Sequence, residues 1–117
     1  MIILCMLFAH IVDDYYLQGI LAKLKQKSWW QENAPNSMYK YDYIVGLFMH
    51  SFSWTFMITL PFIITRTIDT LFILVFIINI IIHAYVDNLK CNKLKINLIE
   101  DQSIHIIQII FTYIFLI

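Results

Sequence analysis

Four long runs rich in isoleucine, leucine and phenylalanine, separated by polar segments, dominate the sequence. Runs of about 15–22 residues are typical of membrane helices, whereas the strands of a membrane barrel are about half as long and alternate with polar residues. The pattern therefore predicts an all-α fold: an integral membrane bundle of four short transmembrane helices in one domain, residues 1–117. The runs are Met1 to about Val12 with an amphipathic continuation toward Leu21, about Tyr43–Thr65 with Pro61 near its end, about Leu71–Val86, and about Ser103–Ile117.

Composition supports a membrane protein and argues against several other classes. The chain is 61% hydrophobic and 14% charged, with a mean hydropathy of +0.74. A soluble domain of this size has too little interior to hide so much apolar surface. The formal net charge of zero argues against a nucleic-acid partner. We expect Cys5 and Cys91 to be free thiols, and the N-terminus lacks the features of a removable signal peptide.

The basic residues are distributed unevenly between the connecting segments. All seven lysines lie in Ala22–Asp42 or Asp87–Gln102, whereas the short link between the second and third runs carries the single arginine, Arg66. By the positive-inside rule, both long loops are cytoplasmic and both termini are outside. The neighbouring Trp29 and Trp30 suit an interfacial anchor. The alternative for these lysines is contact with a lipid headgroup or phosphate.

Candidate chemistry lies in the histidines, one in each apolar run. Three of the four have an aspartate one helical turn away on the same helix face. With six aspartates in the chain, a given histidine has such a partner by chance about one time in ten. On the predicted topology, each aspartate lies nearer the cytoplasm and its histidine one turn deeper. The pairs are His10 with Asp14, His83 with Asp87, and His105 with Asp101, and His50 lies at a similar depth.

These groups predict a divalent metal site near the cytoplasmic face. Carboxylates are costly inside a bilayer, and Asp14 and Asp87 lie toward helix C-termini, where the helix dipole disfavours negative charge. A cation would compensate both. Histidine and aspartate ligands suit zinc, manganese or iron better than magnesium or calcium. Seven candidate groups fit two ions bridged by an aspartate, or one ion with spare acid–base groups.

Other readings of the same residues stay open. Any one histidine can be a hydrogen-bond partner between helices, and Asp101 can be an N-cap. Asp13, turned about 100° from Asp14, is expected to support the ligands or lie on the surface. Gln18 and Gln102 are candidates to orient carboxylates or histidines by hydrogen bonds. Lys90 can meet an anionic substrate group or extend to the interface.

The combination of motifs also carries a resemblance. The segments Ala9–Gln18, His83–Lys90 and Asp101–His105, together with His50, resemble a family of small four-helix membrane proteins of unknown function in bacteria and their phages. That family is similar to the LexA-regulated inner-membrane proteins described as metal-dependent hydrolases. The matching residues cover nearly the whole chain in the same order. The chain departs from the family pattern by carrying Asp13 where a small residue is commoner and Tyr15 where phenylalanine is.

We therefore expect a metal-dependent hydrolase in the bacterial inner membrane, acting on a membrane-resident, lipid-like substrate such as a phosphoester. The predicted metal ligands are His10, Asp14, His83, Asp87, Asp101 and His105, with His50 and Lys90 as catalytic groups and zinc as the expected ion. One alternative is a non-enzymatic membrane protein whose metal or polar network only holds helices together. Another is a proton- or metal-conducting oligomer. Pairing of copies is compatible with each of these readings.

Overall fold

The computed structural model describes residues 1–117 and is entirely helical, which confirms the predicted fold class. Four long helices correspond to the four apolar runs, and two short helices lie in the first polar segment. A π-helical turn, Asp13–Leu17, extends α1, and a 3-10 turn, Ser37–Tyr39, precedes α4. The helices are α1 (Ile2–Val12), α2 (Leu21–Leu24), α3 (Lys27–Asn33), α4 (Asp42–Thr65), α5 (Thr70–Cys91) and α6 (Leu98–Leu116).

The four long helices run alternately up and down and form a ring in which α1 contacts α4, α4 contacts α5, α5 contacts α6, and α6 returns to α1. Short connections impose the antiparallel order of α4, α5 and α6, whereas α1 and α4 are joined by a long segment that carries α2 and α3. Local signals define two of the helix starts: Asp69 caps α5 by accepting from the Phe72 amide, and Asn97 forms a capping box with Glu100 at α6. Pro61 lies within α4, which continues to Thr65.

Two helical segments are long and apolar enough to cross a membrane. They are Ser37–Thr65, with a mean hydropathy of 1.5, and Thr70–Cys91, with 2.1. Helix α1 has only 11 residues, short of the usual spanning length of about 20. The all-helical part of the expectation is thus confirmed with two candidate spans, and the four-span arrangement stays a prediction.

The interior is more polar than that of a soluble bundle. Eleven hydrophobic and fourteen polar or charged residues are buried, while large apolar side chains on all four long helices face outward, for example Phe8, Phe52, Ile81 and Phe111. The main apolar cluster lies at one end of the bundle, around Ile58, Phe62, Phe72 and Ile109. The other end encloses the histidines and aspartates. Both cysteines are free thiols, as expected.

Candidate metal centre

All four histidines meet at the end of the bundle where α1 and α5 finish and α4 and α6 begin. The rings of His83 and His105 stack with centroids 4.1 Å apart, and those of His50 and His83 are 5.0 Å apart. His10 lies 5.9 Å from His105. The side chains of His50, His83 and His105 are at most 1% exposed. The residues that the i,i+4 pattern singled out therefore form one buried cluster.

The tightest convergence is at Nε2 of His50. This nitrogen lies 3.2 Å from Nε2 of His83, 3.2 Å from Oδ2 of Asp87 and 3.3 Å from Oδ1 of Asp14. A ring nitrogen has one proton or one lone pair, so it cannot make three hydrogen bonds at once. Ligands of a tetrahedral ion with bonds of about 2.0–2.1 Å lie about 3.3–3.4 Å from one another. The observed separations match ligands that share one ion.

A second group surrounds His105. Its Nδ1 lies 3.0 Å from Oε1 of Gln108, whose amide nitrogen donates to Asn79, so Nδ1 carries the proton. Nε2 of a neutral His105 then has a lone pair, yet it faces Oδ1 of Asp101 at 3.2 Å and Oδ1 of Asp87 at 3.5 Å. A proton on Nε2, or a cation between the three atoms, removes this repulsion.

Asp87 connects the two groups. Its Oδ2 faces His50 and His83, at 3.2 and 3.6 Å, and its Oδ1 faces His105. The structure therefore contains two overlapping His/Asp groups that can hold a metal ion, one with Asp14, His50 and His83, the other with His83, Asp87 and His105. Six buried side-chain atoms in and beside these groups lack any hydrogen-bond partner: Asp13 Oδ2, Asp14 Oδ1, His50 Nδ1, His83 Nδ1, Asp101 Oδ1 and His105 Nε2. Three of them, Asp14 Oδ1, Asp101 Oδ1 and His105 Nε2, face other ligand atoms of the cluster. A cation would satisfy all three, so the donor set fits a metal.

Gln102 organises the side of the cluster formed by α1 and α6. Its Oε1 lies 2.9 Å from Nε2 of His10, and its amide nitrogen donates to Oδ2 of Asp101 at 3.0 Å and of Asp14 at 3.5 Å. Each carboxylate is held by Oδ2, which leaves Oδ1 directed at the cluster. Gln102 thus has the orienting contacts that its sequence position suggested.

His10 and Asp13 lie beside the two groups rather than within them. The Trp54 indole donates to Nδ1 of His10 at 2.7 Å, and an indole N–H can only donate. Nε2 of His10 therefore carries the proton that Gln102 accepts, and no lone pair remains for an ion. Asp13 is 1% exposed, accepts from Ser53 at 2.6 Å and lies 4.0 Å from Nδ1 of His50. Its surface alternative is wrong, because the π turn directs it inward.

The remaining sequence candidates are at the rim. Gln18 donates to the backbone carbonyl of Asp14, one turn back. Lys90 lies 3.5 Å from Oδ2 of Asp101 and is 34% exposed. Asp101 does not cap α6, since Asn97 is the N-cap and Asp101 points into the cluster at 1% exposure. The capping alternative for Asp101 is therefore wrong.

Lys25 belongs to the cluster, although nothing in its sequence context distinguished it from the other lysines. Its ammonium lies 2.9 Å from Oδ2 of Asp87 and the residue is 7% exposed. Burial lowers the pKa of Lys25, but the neighbouring acidic groups, Asp87 foremost, together raise it by more, so the pKa lies above its usual value. Two sets of contacts position the backbone around Lys25. The Asn92 side chain donates to the Lys25 carbonyl and accepts from the Lys27 amide. The Leu24 carbonyl packs closely against α4, because Gly46 has no side chain there.

Two further polar features also went unpredicted. Trp54 is fully buried and stacks on His83 with centroids 4.2 Å apart, which fixes that ring between Trp54 and His105. Below His105, a chain of hydrogen bonds runs through Gln108 and Asn79 to Thr112. No short motif marks these residues, although a polar residue inside an apolar helix was itself an available signal.

Comparison with known proteins brings no match. No family model, no curated protein and no solved structure matches this chain. The geometry of the cluster therefore carries the functional argument.

Proposed function

We propose that this protein is an integral membrane metalloprotein whose four long helices hold one or two divalent ions, zinc foremost, for hydrolysis of a membrane-resident ester. The convergence of His83, Asp87 and Asp14 on one nitrogen of His50 carries the proposal, because those contacts match ligand spacing and cannot all be hydrogen bonds. The outward apolar side chains and buried polar interior support four helices within a bilayer.

In a two-ion form, Asp14, His50 and His83 would hold one ion, and His105 and Asp101 would hold the other. Asp87, which contacts both sets of side chains, would be shared between them. Carboxylate-bridged pairs of ions occur widely in hydrolytic sites. Gln102 holds Asp101, and Gln108 holds His105, in position through hydrogen bonds.

A divalent ion at this centre would supply a Lewis acid and a bound water whose pKa falls toward neutrality. The chain's own residues do the rest. Asp14 and Asp101 line the mouth of the cluster, each oriented by Gln102, and either can accept a proton there.

A structural centre is the second candidate. The cavity at the mouth measures only about 40 Å³, and His83 and His105 have no exposed surface. A structural ion whose coordination positions are all filled by protein side chains, and which only links the four helices, would suit so buried a site. Proton or ion conduction has less support, since the interior hydrogen-bond chain ends at Thr112, short of the apolar end formed by Phe72 and Leu116.

Elemental analysis of detergent-purified protein tests the metal centre. We expect one to two equivalents of zinc, manganese or iron in the wild type, and a loss of at least one equivalent in each of His83→Ala and His105→Ala. His10→Asn is the matched control, because both nitrogens of His10 are already hydrogen-bonded, and it should keep its metal. Full metal content in folded His83→Ala protein would sink the ligand assignment.

Turnover separates the enzyme from the structural centre. The metal-loaded protein would be assayed on chromogenic phosphomonoester, phosphodiester and carboxyl ester substrates, beside Asp87→Asn. Hydrolysis of one class that disappears in Asp87→Asn supports the enzyme. Metal bound at full occupancy with no hydrolysis of any class supports the structural alternative.

A further inference from the structure

The rim of the cluster combines acidic and basic side chains around a small cavity. This mouth lies between the π turn, the end of α2, the end of α5 and the start of α6, and holds about 40 Å³. Space of that size fits about three water molecules or the oxygens of a small anion. Its charged lining is Asp14, Lys25, Asp87, Lys90 and Asp101.

The two ammonium groups are already ordered. Lys25 contacts Oδ2 of Asp87 at 2.9 Å, and Lys90 lies 3.5 Å from Oδ2 of Asp101. Lys25 is 93% buried in a protein in which the other lysines are at the surface or half-buried. Its backbone is held by Asn92 and by the close approach at Gly46. Burying a lysine is costly, so a segment built to do it points to use of its charge.

The charges at the mouth change sign when a metal binds. Three carboxylates and two ammonium groups line it, so its formal charge is −3 + 2 = −1. One divalent ion changes this to +1. Asp13 lies behind His50 and does not line the mouth. With His50 and His105 neutral, the metal-free mouth therefore repels an anion. The metal-bound mouth, in which both histidines must be neutral to act as ligands, attracts one.

A bound metal would also weaken the contact between Lys25 and Asp87. Oδ2 of Asp87 is the atom shared by Lys25, His50 and His83, so an ion bound there lies within a few ångströms of the Lys25 ammonium. Two positive charges at that distance repel each other. An anion placed between the ion and Lys25 contacts both and relieves the repulsion, and Lys90 reaches the same cavity.

We propose that the metal-loaded mouth binds a phosphate-class anion between Lys25 and Lys90, and that this binding requires the metal. The inference rests on the proposed metal centre and assigns its substrate class: an ester that presents a phosphoryl group, with Lys25 and Lys90 as the residues that bind its oxygens.

The experiment titrates inorganic phosphate into detergent-purified protein by calorimetry, with stoichiometric zinc or after chelation. We expect saturable binding only in the zinc-loaded protein, and binding weaker by about tenfold or more in Lys90→Gln, the loss that removal of one charge-assisted hydrogen bond produces. Lys93, an exposed lysine just after the end of α5, provides the matched control: Lys93→Gln should bind like the wild type. Lys25→Gln should also lose phosphate binding. If Lys25→Gln does not fold, Lys90→Gln alone still tests the proposal.

Metal content measured on every sample separates two failures. No zinc in the wild type overturns the proposed centre together with this inference. Zinc at full occupancy with no phosphate binding, or equal binding in Lys90→Gln, overturns the inference alone and leaves the centre standing.

A second arm identifies the source of the phosphate. Dihexanoyl phosphatidate and dihexanoyl phosphatidylcholine would be titrated beside inorganic phosphate. Tighter binding of the phosphatidate assigns the site to a lipid headgroup with a terminal phosphate. Equal affinity for phosphate and phosphatidate assigns it to a free phosphate. Equal affinity for both lipids without binding of phosphate shows that the acyl chains alone are bound, which contradicts the proposal.

Discussion

The two ends of the bundle share the same four helices and the same apolar exterior but enclose opposite interiors. At the end where α1 finishes, the interior holds histidines, aspartates and a buried lysine. At the other end it holds Met6, Ile58, Phe62 and Phe72. Trp54 lies between them, with its ring on His83 and its N–H on His10.

The difference separates two sources of stability. Apolar packing at one end depends only on shape and is indifferent to ions. At the other end, each buried charge needs a partner, and the partner can be Lys25, a proton or a metal ion. Only the second kind of interior can respond to a ligand. Stability at the polar end should therefore depend on metal and pH, and stability at the apolar end should not.

The largest effect is expected from Lys25→Met in metal-free protein. The substitution leaves Asp87 buried without its cation, and breaking a buried pair in this way costs about 3–5 kcal/mol. This loss of stability should be smaller when zinc is added, because the ion then neutralises the charge of Asp87. Thermal unfolding in detergent, followed by circular dichroism with and without chelator, measures both values. Lys23→Met is the control, since Lys23 is exposed. A loss that zinc does not change would contradict the shared role of Asp87.

Ile58→Ala at the apolar end should cost about 2–5 kcal/mol by leaving a cavity, since Ile58 is completely buried. Unlike Lys25→Met, this variant should lose the same free energy of unfolding with and without zinc. Ile77→Ala, which removes an outward-facing isoleucine that is 48% exposed, should lose much less. If zinc restored much of the stability lost in Ile58→Ala, the two ends would be energetically coupled, which would contradict their independence.

Trp54→Phe probes the boundary between the two interiors. It keeps most of the ring but removes the donor to Nδ1 of His10, and an unpaired buried acceptor costs about 1–3 kcal/mol. We expect this loss together with full metal content, because Trp54 holds His10 and not an ion. Elemental analysis beside the unfolding curve checks both parts. Complete loss of metal would place His10 among the ligands.

The smallest effect is expected from Asp69→Asn, at the exposed ion pair of the opposite end. The hydrogen bond from the Phe72 amide lowers the pKa of Asp69, and Arg66 at 2.8 Å lowers it further. A lowered pKa means that the carboxylate stabilises the fold above its unfolded pKa and loses this contribution as pH falls through the folded value. Asparagine can still accept the hydrogen bond from the Phe72 amide, and only the ion pair with Arg66 is lost. The melting temperature of the variant at pH 7 should therefore fall only slightly. The difference should fade with acid or high salt. A difference that persists at high salt would contradict the electrostatic origin.

Much of the cluster was predictable because helical spacing is a local property. Residues four apart share a face whatever surrounds the helix, so the pairs at His10, His83 and His105 were visible in the sequence. Antiparallel connection of four helices then brings the pairs to one end. The ligand status of His10 was less predictable, because it depends on which donor approaches Nδ1, and that donor comes from α4.

Lys25 was hidden for a related reason. Its burial depends on the left-handed conformation of Gly19 and on the absence of a side chain at Gly46. It also depends on two hydrogen bonds of Asn92, which donates to the Lys25 carbonyl and accepts from the Lys27 amide. These residues are separated by up to 67 positions from the lysine they place. No window of sequence contains that information. The inward turn of Asp13 likewise follows from the π turn, which shifts the register of side chains on α1.

The sequence by itself determined the helices, the outward apolar faces and the i,i+4 pairs, because each depends on residues within a few positions of one another. Only the tertiary structure decided which nitrogens and oxygens converge, which histidine is already hydrogen-bonded and which lysine enters the cluster. Those outcomes depend on contacts a few ångströms long between helices distant in sequence, and a shift of one ångström separates a metal ligand from a hydrogen-bond partner.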